Sequence, residues 1–124
     1  MSNNKSSLWS LTTAEIIKNK YDIFDAVPTI NEWTELIKNF KEKYNTPNDL
    51  LKKISIQDAP ALICGDTHGW LAGKVQIIEA FLEELNRNKN IHLIFLGDYT
   101  DRGPNQIQNL FLVMKTAIEY PNVV

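Results

Sequence analysis

The spacing of hydrophobic and polar positions changes about halfway along the chain. In the first 54 residues, apolar side chains recur every three or four positions, which predicts helices. The clearest helical stripe consists of Ile30, Trp33, Ile37, Phe40 and Tyr44. Thr12 and Thr29 are each followed three residues later by a glutamate, a capping-box pattern that predicts where two helices begin. We therefore interpret residues 1–54 as a helical N-terminal segment.

From residue 55 onward, short apolar runs alternate with helical stripes. The runs at 61–64 and 91–96 each end at a Gly-Asp pair, and helical stripes follow at 75–85 and 107–118. Residues 122–124 look like the start of a third strand. Short buried strands that alternate with helices indicate βαβ units and a parallel sheet. The sequence therefore predicts an α/β fold in which residues 55–124 form parallel βαβαβ units.

Composition and charge argue against several classes of protein. Thirteen basic and fifteen acidic residues give a net charge of −2, so no basic excess suggests nucleic acid and no cationic stretch suggests a membrane surface. The longest apolar run, at 110–114, is far shorter than a membrane span. Cys64 is the single cysteine, which excludes an internal disulfide and fits a reducing compartment. We expect a cytoplasmic or nuclear protein.

Two loops hold the residue types of a metal site that handles phosphate. The first is GDTHG at 65–69 and the second is GDYTDRG at 97–103, and each follows a predicted strand and precedes a helix. Ligands of parallel α/β sheets bind just beyond the carboxyl ends of the strands. If the two strands are neighbours, Asp66, His68 and Asp98 converge on one place.

The chemistry of these side chains points to metal-assisted phosphoryl transfer. Asp66 and His68 offer mixed oxygen and nitrogen ligation, which suits iron, manganese or zinc better than calcium or magnesium. Asp98 can bridge two cations, and metal pairs about 3.5–4 Å apart are a standard device for phosphoryl transfer. The guanidinium of Arg102 matches two phosphate oxygens. Each feature alone has an ordinary structural explanation, such as a Gly-Asp turn or a surface ion pair between Asp101 and Arg102. Their joint occurrence favours the site.

These loops resemble those of the phosphoprotein phosphatases, which are calcineurin-like metallophosphoesterases. The pattern of that family runs Gly-Asp-Xaa-His-Gly, then Gly-Asp-Xaa-Val-Asp-Arg-Gly, then Gly-Asn-His-Glu. The first two motifs are present here, and Tyr99 is also typical of the protein phosphatases. Trp70 stands where the family usually has Gln, and Thr100 where it usually has Val; neither position is a ligand in the family pattern. The resemblance covers about residues 55–124.

The resemblance implies a protein serine/threonine phosphatase that hydrolyses phosphoserine and phosphothreonine with a hydroxide activated by two metals. Asp66, His68 and Asp98 would bind the first metal, with Asp98 bridging to the second. Arg102 would hold the phosphate, and Asp101 would orient the catalytic histidine. The implied cofactors are two ions of manganese, iron or zinc, and this chain would supply mainly the first site. The implied partners are phosphoprotein substrates and regulatory subunits.

The resemblance stops before the third motif, because the family continues where this sequence ends at Val124. We therefore expect the N-terminal half of a layered α/β sandwich, with the general acid and half of the ligands missing and little activity of its own. His92, at the start of the second predicted strand, is not expected to replace them. Two alternatives stay open: a dinucleoside polyphosphate hydrolase of the same superfamily, and a catalytically dead fragment that acts as a binding module.

Overall fold

The computed structural model describes residues 8–44, 61–65, 70–97 and 103–123. Their helices and strands, in chain order, are α1 (Thr13–Lys18), a 3-10 helix (Ile23–Asp25), α2 (Ile30–Lys43), β1 (Ala61–Cys64), α3 (Leu71–Arg87), β2 (His92–Phe95) and α4 (Gln106–Glu119). Residues 45–54 of the predicted helical segment lie outside the described residues. The division of the chain at residue 55 stays a prediction.

Both predicted helix starts are confirmed, and the capping residues act as the sequence indicates. At α1, the Thr12 hydroxyl accepts a hydrogen bond from the Glu15 backbone N–H at 3.2 Å, and the Glu15 carboxylate accepts one from the Thr12 N–H at 3.1 Å. The same reciprocal pair joins Thr29 and Glu32 at α2, at 3.1 and 2.9 Å. Two N–H groups that the helix itself cannot pair are satisfied at each start.

The buried face of α2 differs from the predicted stripe. Leu36 is buried and Trp33 packs against the core, whereas Ile30 is 84% exposed and Ile37 is 43% exposed. Helical periodicity identifies the helix correctly, but the apolar stripe is broad. Which edge of such a stripe touches the core depends on the neighbouring element, here α4.

The sheet is parallel, as predicted. β1 and β2 pair in a register that runs from Ala61 opposite His92 to Cys64 opposite Phe95, with α3 as the crossover between them. On the other side of β2, Val123 forms an isolated parallel bridge with Leu93. The predicted third strand therefore begins where expected, and β2 lies between its two neighbours. These features confirm the α/β fold class.

One hydrophobic core joins the N-terminal helices to the sheet and its crossover helices. Phe111 of α4 makes edge-on contacts with Trp9, at 5.4 Å between ring centroids, and with Trp33, at 5.0 Å. The Trp9 indole N–H also donates to the carbonyl oxygen of Ala26 at 2.8 Å. In the ranges described above, no helix is both long enough and apolar enough to cross a membrane.

The two faces of the sheet have different surroundings. Leu93 and Phe95 are buried on the face that α3 covers. Ile63 and Leu96 are about three-fifths exposed, at 60% and 63%. Alternate residues of a strand point to opposite faces, so the described residues bury one face and leave the other partly exposed.

Candidate metal and phosphate site

The strands that lead into the two loops end side by side. Cys64 and Phe95 are the last register pair, and the N–H of Leu96 donates to the carbonyl oxygen of Cys64 at 3.0 Å. This bond continues the ladder one residue beyond the strands. The loops therefore start at Gly65 and Gly97 on the same edge of the sheet, from adjacent strands. The premise that the two strands are neighbours is confirmed.

The predicted site side chains lie outside the described residues. They are Asp66, His68, Asp98, Asp101 and Arg102, and their roles stay predictions. Within the described ranges, no group of three or more His, Cys, Asp and Glu side chains could hold a metal ion. The donor set of the two loops, two carboxylates and an imidazole, fits manganese, iron or zinc by its chemistry.

The second loop is bounded by glycines with unusual backbone angles. Gly97 has a φ of 109° and Gly103 a φ of 102°, both in the region that L-residues rarely adopt. A Cβ added at Gly97 would meet no atom of the described residues within 4 Å. The positive φ is therefore the observed reason for glycine at this position. Gly65, at the start of the first loop, has no positive φ.

A helix follows each loop in the sequence, so the N-terminal end of each helix is the end nearer to the loop along the chain. α3 begins at Leu71 after the first loop, and α4 begins at Gln106 after the second. The N-terminal ends of helices carry partial positive charge, which favours a nearby anion. The N-cap of α4, Asn105, does not cap its helix with its side chain; it donates to the carbonyl oxygen of Phe24 at 3.3 Å. This bond fixes the start of α4 to the N-terminal helical segment.

A buried lysine beside the ends of both strands was missed by sequence reasoning. Lys74, in the first turns of α3, is fully buried. Its Nζ donates to the Sγ of Cys64 at 3.5 Å and lies 4.7 Å from the centroid of the Phe95 ring. Burial lowers the pKa of the Lys74 ammonium, while Cys64 acts in the opposite direction. A signal was available, because Lys74 lies four residues before Ile78 and thus on the buried face of α3.

His92 lies at the other end of the sheet, as expected. It starts β2 and pairs with Ala61, whereas the loops leave from the opposite end of both strands. Within the described residues, its buried Nδ1 has no hydrogen-bond partner. His92 is therefore separated from the loop edge by the length of β2, about 10 Å for three residue steps.

The fold and the loop positions agree with a match to a known family. Residues 59–123 match the family described as calcineurin-like phosphoesterase. This match covers just over half of the chain. The chain therefore belongs to the calcineurin-like phosphoesterases.

Within that class, the similar relatives are named as serine/threonine phosphatases. The chain is 33% identical over 95 residues to serine/threonine-protein phosphatase PP1-1 of Saccharomyces cerevisiae, covering 75% of this chain and 28% of that protein. It is 36% identical over 74 residues to putative serine/threonine-protein phosphatase C27B7.6 of Caenorhabditis elegans, with 60% and 14% covered. It is 29% identical over 103 residues to serine/threonine-protein phosphatase SIT4 of Candida albicans, with 74% and 33% covered.

These relatives confirm the resemblance to the phosphoprotein phosphatases over the part that the chain spans. That part is a third or less of the length of each relative.

Proposed function

We propose that this chain belongs to a protein serine/threonine phosphatase and provides the first part of its catalytic domain. The reaction would be hydrolysis of phosphoserine and phosphothreonine by a hydroxide activated by two metals. The observation that carries this proposal is the side-by-side ending of β1 and β2, because it starts both Gly-Asp loops at one edge of the sheet. The phosphatase relatives support the choice of substrate class.

The residues of the two loops would have different roles in metal binding and phosphate binding. Asp66, His68 and Asp98 would hold the first metal, and Asp98 would also reach the second. The guanidinium of Arg102 would hold two oxygens of the phosphate. Asp101 would orient the catalytic histidine of the family's third motif, which is not part of this sequence. When bound, the metal ions would neutralise phosphate charge and activate the attacking water.

Partners and compartment follow from the same proposal. The substrates would be phosphoproteins, and regulatory subunits would be further partners. Cys64 is free and buried, which is compatible with the reducing conditions of the cytoplasm or nucleus. The net charge of −2 gives no electrostatic reason to expect nucleic acid as a partner.

Metal binding is the first test, because it needs only the two loops. Manganese is titrated into the wild-type chain, an Asp98→Asn variant and an Asp22→Asn control, and the heat of binding is measured. Asp22 is exposed in the turn after α1, so its variant should bind as the wild type does. Loss of the Asp98 carboxylate should weaken binding by about tenfold or more, since even loss of a residue that only supports a ligand often costs that much. A wild-type chain that binds no manganese would contradict the proposed site.

Substrate preference is the second test. The assay uses a longer protein that carries this chain together with the third motif of the family, because the chain alone is expected to have little activity. With manganese present, phosphate release from a phosphothreonine peptide is compared with hydrolysis of a dinucleoside tetraphosphate. The proposal expects the peptide to be the better substrate and Asp98→Asn to remove the activity. A preference for the dinucleotide would instead favour the other hydrolases of the superfamily. Manganese binding without turnover of either substrate would favour a binding module.

A further inference from the structure

The outer side of α2 carries a row of exposed apolar side chains. Ile30, Ile37 and Tyr44 stand seven residues apart and are 84%, 43% and 40% exposed. Seven residues make almost two turns of a helix, so these three side chains lie in one row along it, which we call the outer row. Leu36 is the buried side chain of α2, and the helix packs against α4. The outer row is therefore a second apolar side of the helix, beside the side that packs.

Two aromatic residues complete a heptad spacing along this side of α2. Trp33 and Phe40 each follow a residue of the outer row by three positions, so the apolar steps alternate between three and four residues. Trp33 packs against the core, and the ring centroids of Phe40 and Tyr44 lie 4.6 Å apart. Both contacts hold side chains of this side in place before anything binds. Alternating steps of three and four residues are typical of a helix that packs against another helix.

Basic side chains border the outer row. Lys38 and Lys41 are exposed, and on a helix they lie about 100° and 40° around the axis from Ile37. The exposed carboxylates of Glu35 and Glu42 lie about 160° and 140° from Ile37, on the opposite side. The charged side chains of α2 that lie nearest to the outer row are therefore positive. Such a surface is complementary to an apolar surface that is bordered by carboxylates.

We propose that the outer row of α2 binds an amphipathic helix of a partner protein, with apolar side chains at heptad spacing and acidic side chains beside them. The fourteen steps from Ile30 to Tyr44 span about 21 Å of helix, which is room for two heptads of contact. Carboxylates of the partner would pair with Lys38 and Lys41. A second copy of this chain fits less well, because its α2 would bring the same lysines together. The inference does not depend on the metal site.

The test uses two synthetic peptides as probes. Each has about three heptads with leucine at the core positions, and the flanking positions are glutamate in one peptide and lysine in the other. Like charges at these positions keep each free peptide from pairing with itself. The peptides carry a fluorophore, and anisotropy is measured as the chain is added. The glutamate peptide should bind about tenfold or more tightly than the lysine peptide. The net charge of the chain is −2, so general attraction would instead favour the lysine peptide.

Substitutions on α2 locate the binding surface. Ile37→Ser should weaken binding of the glutamate peptide by about tenfold or more, because it removes an apolar side chain from the middle of the contact. Ile30→Ser should also weaken binding, and it is the second variant in case Ile37→Ser does not fold. The matched control is Ile63→Ser, because Ile63 is a 60% exposed isoleucine on β1. Its affinity should equal that of the wild type. Circular dichroism establishes that each variant is folded.

Reversal of the border charges tests the stated chemistry of the partner. A double variant with Lys38→Glu and Lys41→Glu should prefer the lysine peptide, because the carboxylates of the glutamate peptide would then meet like charges. This reversal, together with weaker binding in Ile37→Ser or Ile30→Ser, supports the partner helix.

Three results would overturn the proposal. The first is a wild-type chain that does not bind the glutamate peptide or binds both peptides equally well. The second is wild-type affinity in the folded Ile37→Ser and Ile30→Ser variants. The third comes from sedimentation of the chain without peptide: a dimer that forms in the wild type and is lost in Ile37→Ser would make a second copy the occupant of the outer row.

Discussion

The contacts of Phe111 predict how firmly the N-terminal helices are joined to the rest of the domain. Phe111 lies on α4 and is buried between the rings of Trp9 and Trp33. Trp9 precedes α1 and Trp33 belongs to α2. Both ring pairs are edge-on, with interplanar angles of 70° and 83°. We predict that Phe111→Leu destabilises the whole chain because it removes both ring contacts at once.

The magnitude follows from the number of ring pairs that are lost. Each edge-on pair contributes about 0.5–1.5 kcal/mol beyond its buried area, so two pairs contribute about 1–3 kcal/mol. The smaller leucine also leaves unfilled space, at a cost of about 1 kcal/mol. The free energy of unfolding should therefore fall by about 2–4 kcal/mol. A loss of this size is a large fraction of the stability of an ordinary domain.

The matched control is Phe81→Leu. Phe81 is equally buried on α3, but it makes one edge-on pair, with Tyr120 at 5.7 Å and 89°. The same atoms are removed in both variants, so the difference between them reports one aromatic pair together with the contact of Lys115, whose Nζ lies 6.0 Å from the centroid of the Phe111 ring. Phe111→Leu should therefore cost about 1 kcal/mol more than Phe81→Leu.

Urea unfolding, followed by tryptophan fluorescence and by far-ultraviolet circular dichroism, measures both variants. Fluorescence reports on three tryptophans, of which Trp9 and Trp33 contact Phe111 and Trp70 is 58% exposed. Circular dichroism reports on all helices. The two transitions should coincide in the wild type, because one core holds both parts. The reasoning is refuted if Phe111→Leu costs no more than Phe81→Leu. It is also refuted if the wild-type fluorescence transition occurs at a lower urea concentration than the loss of helix.

Two further predictions concern a loop boundary and a helix start. Gly97→Ala should lower the free energy of unfolding by about 1–2 kcal/mol, because φ at this residue is 109°. Gly65 has no positive φ, so Gly65→Ala should change the free energy of unfolding by less than about 0.5 kcal/mol in the same urea titration. Hydrogen bonds from Thr12 lower the pKa of the Glu15 carboxyl group from its ordinary value of 4.5. The stability that this carboxylate adds is therefore fully present above pH 4.5. It is lost as the pH falls through the lower pKa of the folded state. Thermal unfolding between pH 7 and pH 3 should therefore show Glu15→Gln less stable than the wild type at neutral pH, with the difference shrinking in acid; a constant difference would contradict this.

Features set by neighbouring residues were predictable from the sequence. The capping boxes at Thr12 and Thr29 mark real helix starts because each involves only four successive residues. The short apolar runs before the two Gly-Asp pairs are strands, and the bridge at Val123 matches the predicted third strand. Alternation of strands and helices was enough to predict a parallel sheet, because a parallel pair requires a crossover between its strands.

Features set by distant parts of the chain were less predictable. The spacing of α2 does not reveal that α4 contacts the Trp33 and Leu36 side of its apolar stripe and leaves Ile30 exposed. The burial of Lys74 likewise depends on how α3 lies against the ends of two strands. The charge of Lys74 predicts exposure at the surface, whereas its position on the helix predicts burial in the core. The packing of α3 against the strand ends buries the side chain of Lys74. The roles of the loop residues stay predictions from motif and chemistry.

The register of the two strands connects the hydrophobic core to the candidate site. With Cys64 opposite Phe95, both side chains lie on the face that α3 covers, where they meet Lys74. A slip of one residue would turn one strand over, because successive side chains point to opposite faces. It would expose Leu93 and Phe95, and it would also move the start of the second loop relative to Gly65. The pairing that buries the core is therefore the same pairing that sets Gly65 and Gly97, where the two loops start, at the same end of the sheet.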